Sequence, residues 1–358
     1  MKLAKLVLVA AAAACVFAAP ARAQWSIAGA DGKSALKLGF LAQMQAEELK
    51  NLNAETYQQN LFLRRFRVMG GGKISERVTF FFETDVPNLG KGQSTGKKVD
   101  NTMILQDAYV THAFCPSFGV DAGMLLVPLS HNSTQSAGSL LAPDYGPYSF
   151  VNNDSLNGKV GRDYGAMGRG WLGGRRLELR GVILQGNRGT DQRGPFRLAG
   201  RAVYYPFEAD TAMFYTGTTL GKRKLVALGA SVDAQRDYRT TAGDVFVDWP
   251  VAGGDGFTLQ ADVLKYNGGD TFAGLAEQTC VLVEAGWYFH QAKVSPFVQY
   301  AARDYDAAAL HDETKLQGGL AWWGNGHRYN LKLAVAQLTR DGSDDGTQFV
   351  AQWQVLGY

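Results

Sequence analysis

The stretch Phe62-Leu-Arg-Arg-Phe-Arg-Val-Met-Gly-Gly-Gly-Lys-Ile-Ser-Glu-Arg-Val-Thr-Phe-Phe-Phe-Glu-Thr-Asp85 decides the fold class. Two arms of alternating character flank the polar turn Ile74-Ser75-Glu76, the pattern of a β-hairpin with one apolar and one charged face. Phe66 and Val68 share one side of the first arm, with Arg65, Arg67 and Lys73 on the other. In the second arm Val78, Phe80 and Phe82 oppose Arg77, Glu83 and Asp85. A three-residue turn at 74–76 sets Arg65 opposite Asp85 and Arg67 opposite Glu83, pairs worth about 0.2–1 kcal/mol each in a sheet. One such hairpin suits a soluble sandwich as well as a barrel, so its recurrence and its context have to decide.

Outward from the hairpin, the same dyad period recurs near 36–44, 108–110, 120–124, 163–172, 175–185, 196–206, 224–235, 243–250 and 255–266. Further arms follow near 278–289, 292–303, 313–323 and 327–339, with a closing strand from Thr347 to Tyr358, giving sixteen strands in all. Thr211–Thr219 is a seventeenth candidate, but a barrel with both ends on one side crosses an even number of times, so 207–223 is read as a connection. Short turns at 74–76, 115–117, 173–174, 289–292 and 324–326 alternate with longer polar links. The expected fold is all-β, a transmembrane antiparallel β-barrel of about sixteen strands with short periplasmic turns and longer external loops. Trp287, Trp322, Trp323, Tyr329 and Trp353 are expected in its interfacial girdles.

The amino terminus supplies the context. Lys2 and Lys5 precede an apolar run from Leu6 to Ala19, and Ala21-Arg22-Ala23 offers a cleavage site before Gln24. Residues 1–23 therefore read as a signal peptide, too short in its apolar core to span a bilayer, and 24–358 as the exported barrel. An intact mass beginning at Gln24 is the expected result; a retained leader or a lipid on Cys15 would contradict it. Losing Lys2, Lys5 and Arg22 leaves 33 basic residues against 33 acidic ones, a formally neutral chain that gives no argument for a nucleic-acid partner. Glycine at 43 positions, with 19 Phe, 15 Tyr and 7 Trp, suits many strands, tight turns and aromatic belts in an outer-membrane protein.

The longest link, 126–161, carries Pro128, Pro143 and Pro147, and loops of this length are usually functional. It is the candidate constriction loop, folding into the lumen. By strand parity the pore-lining anion path comprises Arg65, Arg67, Lys73, Arg77, Arg176, Arg180, Arg197, Arg201, Lys315 and Lys332, with Lys293 and Arg303 on the same face. Glu83, Asp85, Asp107, Asp121, Glu178, Asp233, Asp262 and Glu284 also point inward, leaving a surplus of four cations. Guanidinium forks in a low-dielectric lumen concentrate anions and match two oxygens of an oxyanion; ion pairs that stabilise the wall are the competing reading.

Other chemistry is thin. The histidines at 112, 131, 290, 311 and 327 show no metal spacing, and neither a metal nor any other cofactor is expected. Ser130-His131 with Asp144 is the one arrangement to weigh for a hydrolase, and adjacency in sequence is not a triad. No enzymatic activity is expected.

Phe62-Leu-Arg-Arg-Phe-Arg67, Asp107-Ala-Tyr-Val110, Gly123-Met-Leu-Leu-Val-Pro128, Arg162-Asp-Tyr-Gly165 and Gly200-Arg-Ala-Val-Tyr-Tyr-Pro206 follow one another in an order that resembles the phosphate-selective porins O and P. Leu228-Gly-Ala-Ser231, Tyr266-Asn-Gly-Gly269 and Gln317-Gly-Gly319 continue it over nearly the whole chain. The resemblance implies a sixteen-stranded, homotrimeric outer-membrane porin, surrounded by lipid and lipopolysaccharide and passing small anions such as phosphate. Two departures bear on the anion. Met124, Leu125 and Leu126 stand where relatives carry a lysine, and 126–161 holds Lys159 alone, opposed by Asp144 and Asp154. A non-selective diffusion porin, and a barrel serving as sleeve or docking surface for a periplasmic partner, remain open alternatives.

Overall fold

In the computed structural model, which describes residues 25–30, 33–93, 96–99, 102–150 and 161–358, the alternating segments form one closed antiparallel barrel. The strands are β1 (Trp25–Ala28), β2 (Ala35–Lys50), β3 (Gln58–Lys73), β4 (Val78–Asp85), β5 (Ile104–Cys115), β6 (Phe118–Leu126), β7 (Arg162–Leu172), β8 (Leu177–Leu184) and β9 (Arg197–Tyr204). They continue as β10 (Leu225–Gln235), β11 (Tyr238–Pro250), β12 (Gly256–Asn267), β13 (Gln278–Tyr288), β14 (Val294–Tyr305), β15 (Glu313–Trp322), β16 (Tyr329–Arg340) and β17 (Gly346–Gly357). Each of β2 to β17 pairs with its neighbour in sequence, and β17 returns to β2, from Phe40↔Gly357 to Lys50↔Thr347, which closes sixteen strands. Short β1 takes the rest of that edge of β2, from Trp25↔Leu38 to Ala28↔Ala35. Gly39 lies where the two meet, and a Cβ there would collide with the Gly357 carbonyl oxygen.

Polarity is inverted relative to a soluble protein. Outward positions are large and apolar, with Leu198 57 %, Leu316 53 % and Val263 50 % exposed, whereas the inward parity of β12 buries Thr258, Gln260 and Asp262. Only a lipid solvent makes that distribution favourable, because it puts apolar side chains against hydrocarbon and polar ones around the axis. Among the described residues no helix is long and apolar enough to cross a membrane.

We call the end where β2 starts and β17 finishes proximal, and the other distal. Two connections depart from the expected alternation of short and long. The strand expected at 243–250 begins at Tyr238, so its distal link shrinks to Arg236-Asp237, with Arg236 at φ 55°. Conversely the proximal link 205–224 is long, and it turns into the lumen. In the first hairpin Lys73 pairs with Thr79 and Ile74 N–H bonds the Val78 carbonyl, so the turn is longer than 74–76 and the register moves by two residues. Arg67 consequently reaches both Glu83 and Asp85, and the expected Arg65–Asp85 pair does not form.

Trp322, Tyr329 and Trp353 cluster at the proximal end with ring centroids 5.9 and 6.2 Å apart. Trp323 is a correction: consecutive strand residues face opposite ways, and it is buried inside, donating to Ser295 Oγ at 2.9 Å. Residues 1–23 with Cys15, and Asp154 and Lys159, lie outside the described residues. Cys115 is exposed at the proximal end of β5 and Cys280 buried near the distal end of β13, and neither is bridged. Strand ends on opposite sides of the membrane are separated by about 25 Å, far beyond disulfide reach. Non-reducing peptide mapping should accordingly find both thiols free; a Cys115–Cys280 bridge would refute this strand order.

Candidate functional site

The distal link 127–150 leaves β6 and runs into the lumen, buried along most of its length. Three apolar footholds hold it. Val127 and Leu129 pack with Met167, Val182, Leu264 and Tyr266; Ala137 packs with Leu41 and Met69; Leu141 and Ala142 pack with Phe297, Ala321 and Val350. Between them a single helical turn, His131–Thr134, is capped by Ser130, whose side chain accepts from Ser133 N–H. Backbone carbonyls that would be orphaned so far from water are met by the wall. Gln43 donates to Ala137 at 3.1 Å, Gln352 to Pro143 at 2.8 Å, Gln354 to Gly138 at 2.8 Å, and Lys332 Nζ to Leu140 and Ala142 at 2.5 and 3.0 Å.

The proximal link 205–224 enters from the other mouth and meets this segment. Tyr215 N–H donates to the Thr134 carbonyl and Ser136 N–H to that of Tyr215, a short parallel ladder extended by Thr218 N–H to Ser139. His131 is stacked between Tyr215 and Phe246, with centroids 5.2 and 3.8 Å away, and its Nε2 lies 3.1 Å from the Thr216 carbonyl. Burial pushes the His131 pKa down to about 4, so the ring packs as a neutral aromatic. Ser130 Oγ is spent on the helix cap and Asp144 on two arginines, so Ser130, His131 and Asp144 are not brought together for hydrolysis.

Most residues of the expected anion path are engaged with neighbours. Arg67 bonds Glu83 at 2.8 Å and Asp85 at 3.0 Å. Arg180 bonds Glu178 at 2.9 Å and the carbonyls of Ala212 and Met213, and stands 4.4 Å over the Tyr215 ring. Arg197 is held by Asp233 and, at 3.3 Å, Asp163. Arg201 forks onto Asp244 at 2.6 and 2.8 Å and also donates to the Leu129 carbonyl. Arg303 pairs with Glu313. Lys332 is fully buried as the tether just described.

Lys73, Arg77, Arg176 and Lys293 are corrections. All four are exposed at the proximal rim: Arg77, Arg176 and Lys293 fall in turns, where the parity count was carried past the strand ends, and Lys73 is the last residue of β3. Among the described residues, fully buried carboxylates number twelve and fully buried cations seven, with Arg303 and Lys315 of the inward set only partly buried. Asp244, Asp248 and Glu47 are inward acids that the parity count left out.

The lumen is open beside the segment. A cavity of 220 Å³ lies between Pro143-Asp144 and the wall strands β2, β3, β15 and β17, lined by Gln45, Glu47, Arg64, Lys91, Lys315 and Gln348 among others. Lys91 bonds Glu47 at 2.9 Å and Lys315 donates to Gln348 at 2.9 Å. Arg64 and Arg65 both reach Asp144 at 2.5 Å. Two adjacent strand residues share a face here because of a β-bulge: Gln43 pairs with Arg65 and Met44 with Leu63, leaving Arg64 as the extra residue. Sequence periodicity cannot show a bulge, and so Arg64 was missed. Lys91 was missed because it lies on a link and not on a strand.

The family model of phosphate-selective porins O and P matches residues 36–246. Among curated proteins none matches the chain in sequence. Of solved structures, the outer-membrane channel DcaP of Acinetobacter baumannii is similar with a TM-score of 0.58 at 14 % identity, over 92 % of this chain and 100 % of that one. Salmonella typhi OmpF in complex with daunomycin gives a TM-score of 0.59 at 12 % identity, over 92 % and 100 %. The trimer form of Vibrio cholerae OmpT gives 0.52 at 8 % identity, over 90 % and 99 %. At such identities the likeness is one of fold.

Proposed function

Because the chain belongs to the phosphate-selective porin O and P family and folds as an outer-membrane channel, we propose that it passes small anions, inorganic oxyanions among them, by passive diffusion. The observation that carries this reading is the accessibility of charge in the open part of the lumen. Arg67, Arg180, Arg197 and Arg201 are neutralised by buried carboxylates and offer little to a passing solute. At the 220 Å³ cavity, by contrast, Arg64, Lys91 and Lys315 are only half buried, whereas Glu47 is 3 % exposed. Even counting Asp144, whose side chain is 32 % exposed there, a permeating ion meets more positive than negative charge beside the segment, and low-dielectric walls strengthen that field. The segment 127–150 acts as the constriction.

In planar bilayers under a KCl gradient the reversal potential should favour chloride moderately, and raising the salt should weaken the preference as screening grows. Arg64→Glu with Lys315→Glu should move it toward potassium. A neutral or cation-selective wild type would instead support a non-selective diffusion porin, the reading favoured by the excess of buried carboxylates. We also take the working unit to be a homotrimer in the outer membrane, inserted after signal-peptide removal, in keeping with the trimer form described for Vibrio cholerae OmpT.

A further inference from the structure

We propose that the outer side of the proximal rim, over β7 to β11, seats an anionic phospholipid of the periplasmic leaflet, its phosphate on a cluster of arginines and lysines and its chains against the wall below. The site lies outside the barrel, so the inference goes beyond the question of which ion passes through it.

The cations are concentrated in one sector. The connection 173–176 carries Arg175 and Arg176, and 205–224 carries Lys222, Arg223 and Lys224. The proximal connections 74–77, 116–117, 251–255, 289–293 and 323–328 hold at most one Lys or Arg each. Backbone joins the two basic connections: Tyr205 N–H bonds the Arg176 carbonyl at 2.7 Å, and Arg176 Nη1 donates to the carbonyls of Pro206 and Phe207. Against five cations they expose one acid, Glu208, which Arg223 holds at 3.3 Å. Among the described residues Arg175, Arg176, Lys222 and Lys224 have no carboxylate within ion-pair distance, in contrast to Arg67, Arg180, Arg197 and Arg201 inside the barrel.

This sector faces lipid. Trp249 has the outward parity of Gly243, Val245 and Val247 on β11. Phe207, half exposed, stands edge-on to it with ring centroids 4.9 Å apart, and Lys224 Nζ lies 5.6 Å from the Trp249 ring centroid. The cations therefore sit just beyond an aromatic pair, the level at which headgroups lie, and guanidinium forks match two phosphate oxygens. A short proximal turn on this side, with both chain ends beside it, places that leaflet toward the periplasm.

Toward the membrane centre the wall beneath the cluster is low. Gly168, Gly181 and Gly200 are register partners across β7, β8 and β9, and Ala202, Ala230 and Gly243 across β9, β10 and β11. A Cβ at Gly181 or Gly243 would meet no atom within 4 Å. Gly181 and Gly200 lie four residues from the proximal ends of β8 and β9, about 13 Å along the strand and so within one leaflet's depth of the rim. An acidic soluble protein would use the cations alone, whereas a phospholipid uses the cations, the aromatic pair and the trough together.

The test is native mass spectrometry of the purified full-length protein offered phosphatidylglycerol and phosphatidylethanolamine with identical chains. Phosphatidylglycerol should be retained about tenfold better or more, and Arg175→Gln with Lys224→Gln should weaken that retention about fivefold for each charge removed. Lys73→Gln with Arg77→Gln, which takes the same charge from another part of the rim, should leave the preference intact. Equal retention of the two lipids by the wild type overturns the proposal, as does an equal loss in the two double variants. Soluble glycerol phosphate should fail to displace the lipid; full displacement would reveal a free-phosphate site with no seat for the chains and refute the proposal. If the Arg175 variant does not fold, Lys222→Gln with Lys224→Gln should show the same loss, and an unchanged preference there would refute the site.

Discussion

Excising residues 130–149 behind a short Gly-Ser join should raise single-channel conductance several-fold. The barrel wall does not need the segment for its backbone hydrogen bonds, since each of the sixteen strands is paired on both sides within the sheet. What the excision removes is the set of buried side chains that fill the axis, Leu140, Leu141 and Ala142 among them, and the Asp144 carboxylate at the open cavity. Anion preference should rise in the same variant, because Arg64 and Arg65 lose their shared counter-charge. The increase has a ceiling, because the proximal link 205–224 still occupies its side of the lumen through Arg180 and Asp248. Removing both links should give the larger conductance. Unchanged current in the first variant would mean that ions pass somewhere other than beside this segment.

Arg201→Met is the second large effect, on stability. The Arg201 and Asp244 side chains are both without solvent exposure, and the substitution strands a buried carboxylate and removes one of the two donors to the Leu129 carbonyl. Breaking a buried pair from one side costs about 3–5 kcal/mol, whereas replacing both members with apolar residues is often near neutral. The single variant should therefore unfold at markedly lower urea in detergent micelles, and Arg201→Met with Asp244→Leu should recover most of the loss. Arg64→Gln is the contrast: partly exposed beside an open cavity, it should cost well under half as much. A single variant as stable as wild type would show that water reaches Asp244.

The wall was readable in sequence because lipid outside and polar lumen inside impose a two-residue period on every strand, and that period is a property of adjacent residues. It placed Arg65, Arg67, Arg180, Arg197, Arg201 and Lys332 on the inner face. It misplaced Arg77, Arg176 and Lys293, where the chain leaves the sheet and the period no longer holds, and Lys73, which ends β3 at the exposed rim. Partnership was not readable at all. That Arg65 meets Asp144 instead of Asp85 depends on a bulge, a longer turn and a connection 79 residues away, none of which leaves a local pattern. The inward turn of 205–224 was hidden for a related reason: its polar and aromatic residues resemble an exposed loop until 134–139 arrives to pair with them.

The crossing segment has a mechanical consequence as well. A ring of hydrogen-bonded strands resists stretching along its circumference but flattens easily into an oval. Here Leu129 is bonded to Ser231 on β10 and Ala137 to Gln43 on β2, and β10 lies eight strands from β2 in either direction. The segment is thus a spoke joining opposite points of the hoop, with Lys332 and Gln352 as further rivets beside one end. Deforming the ring along that diameter would work against those bonds, so the segment stiffens the hoop against flattening in that direction.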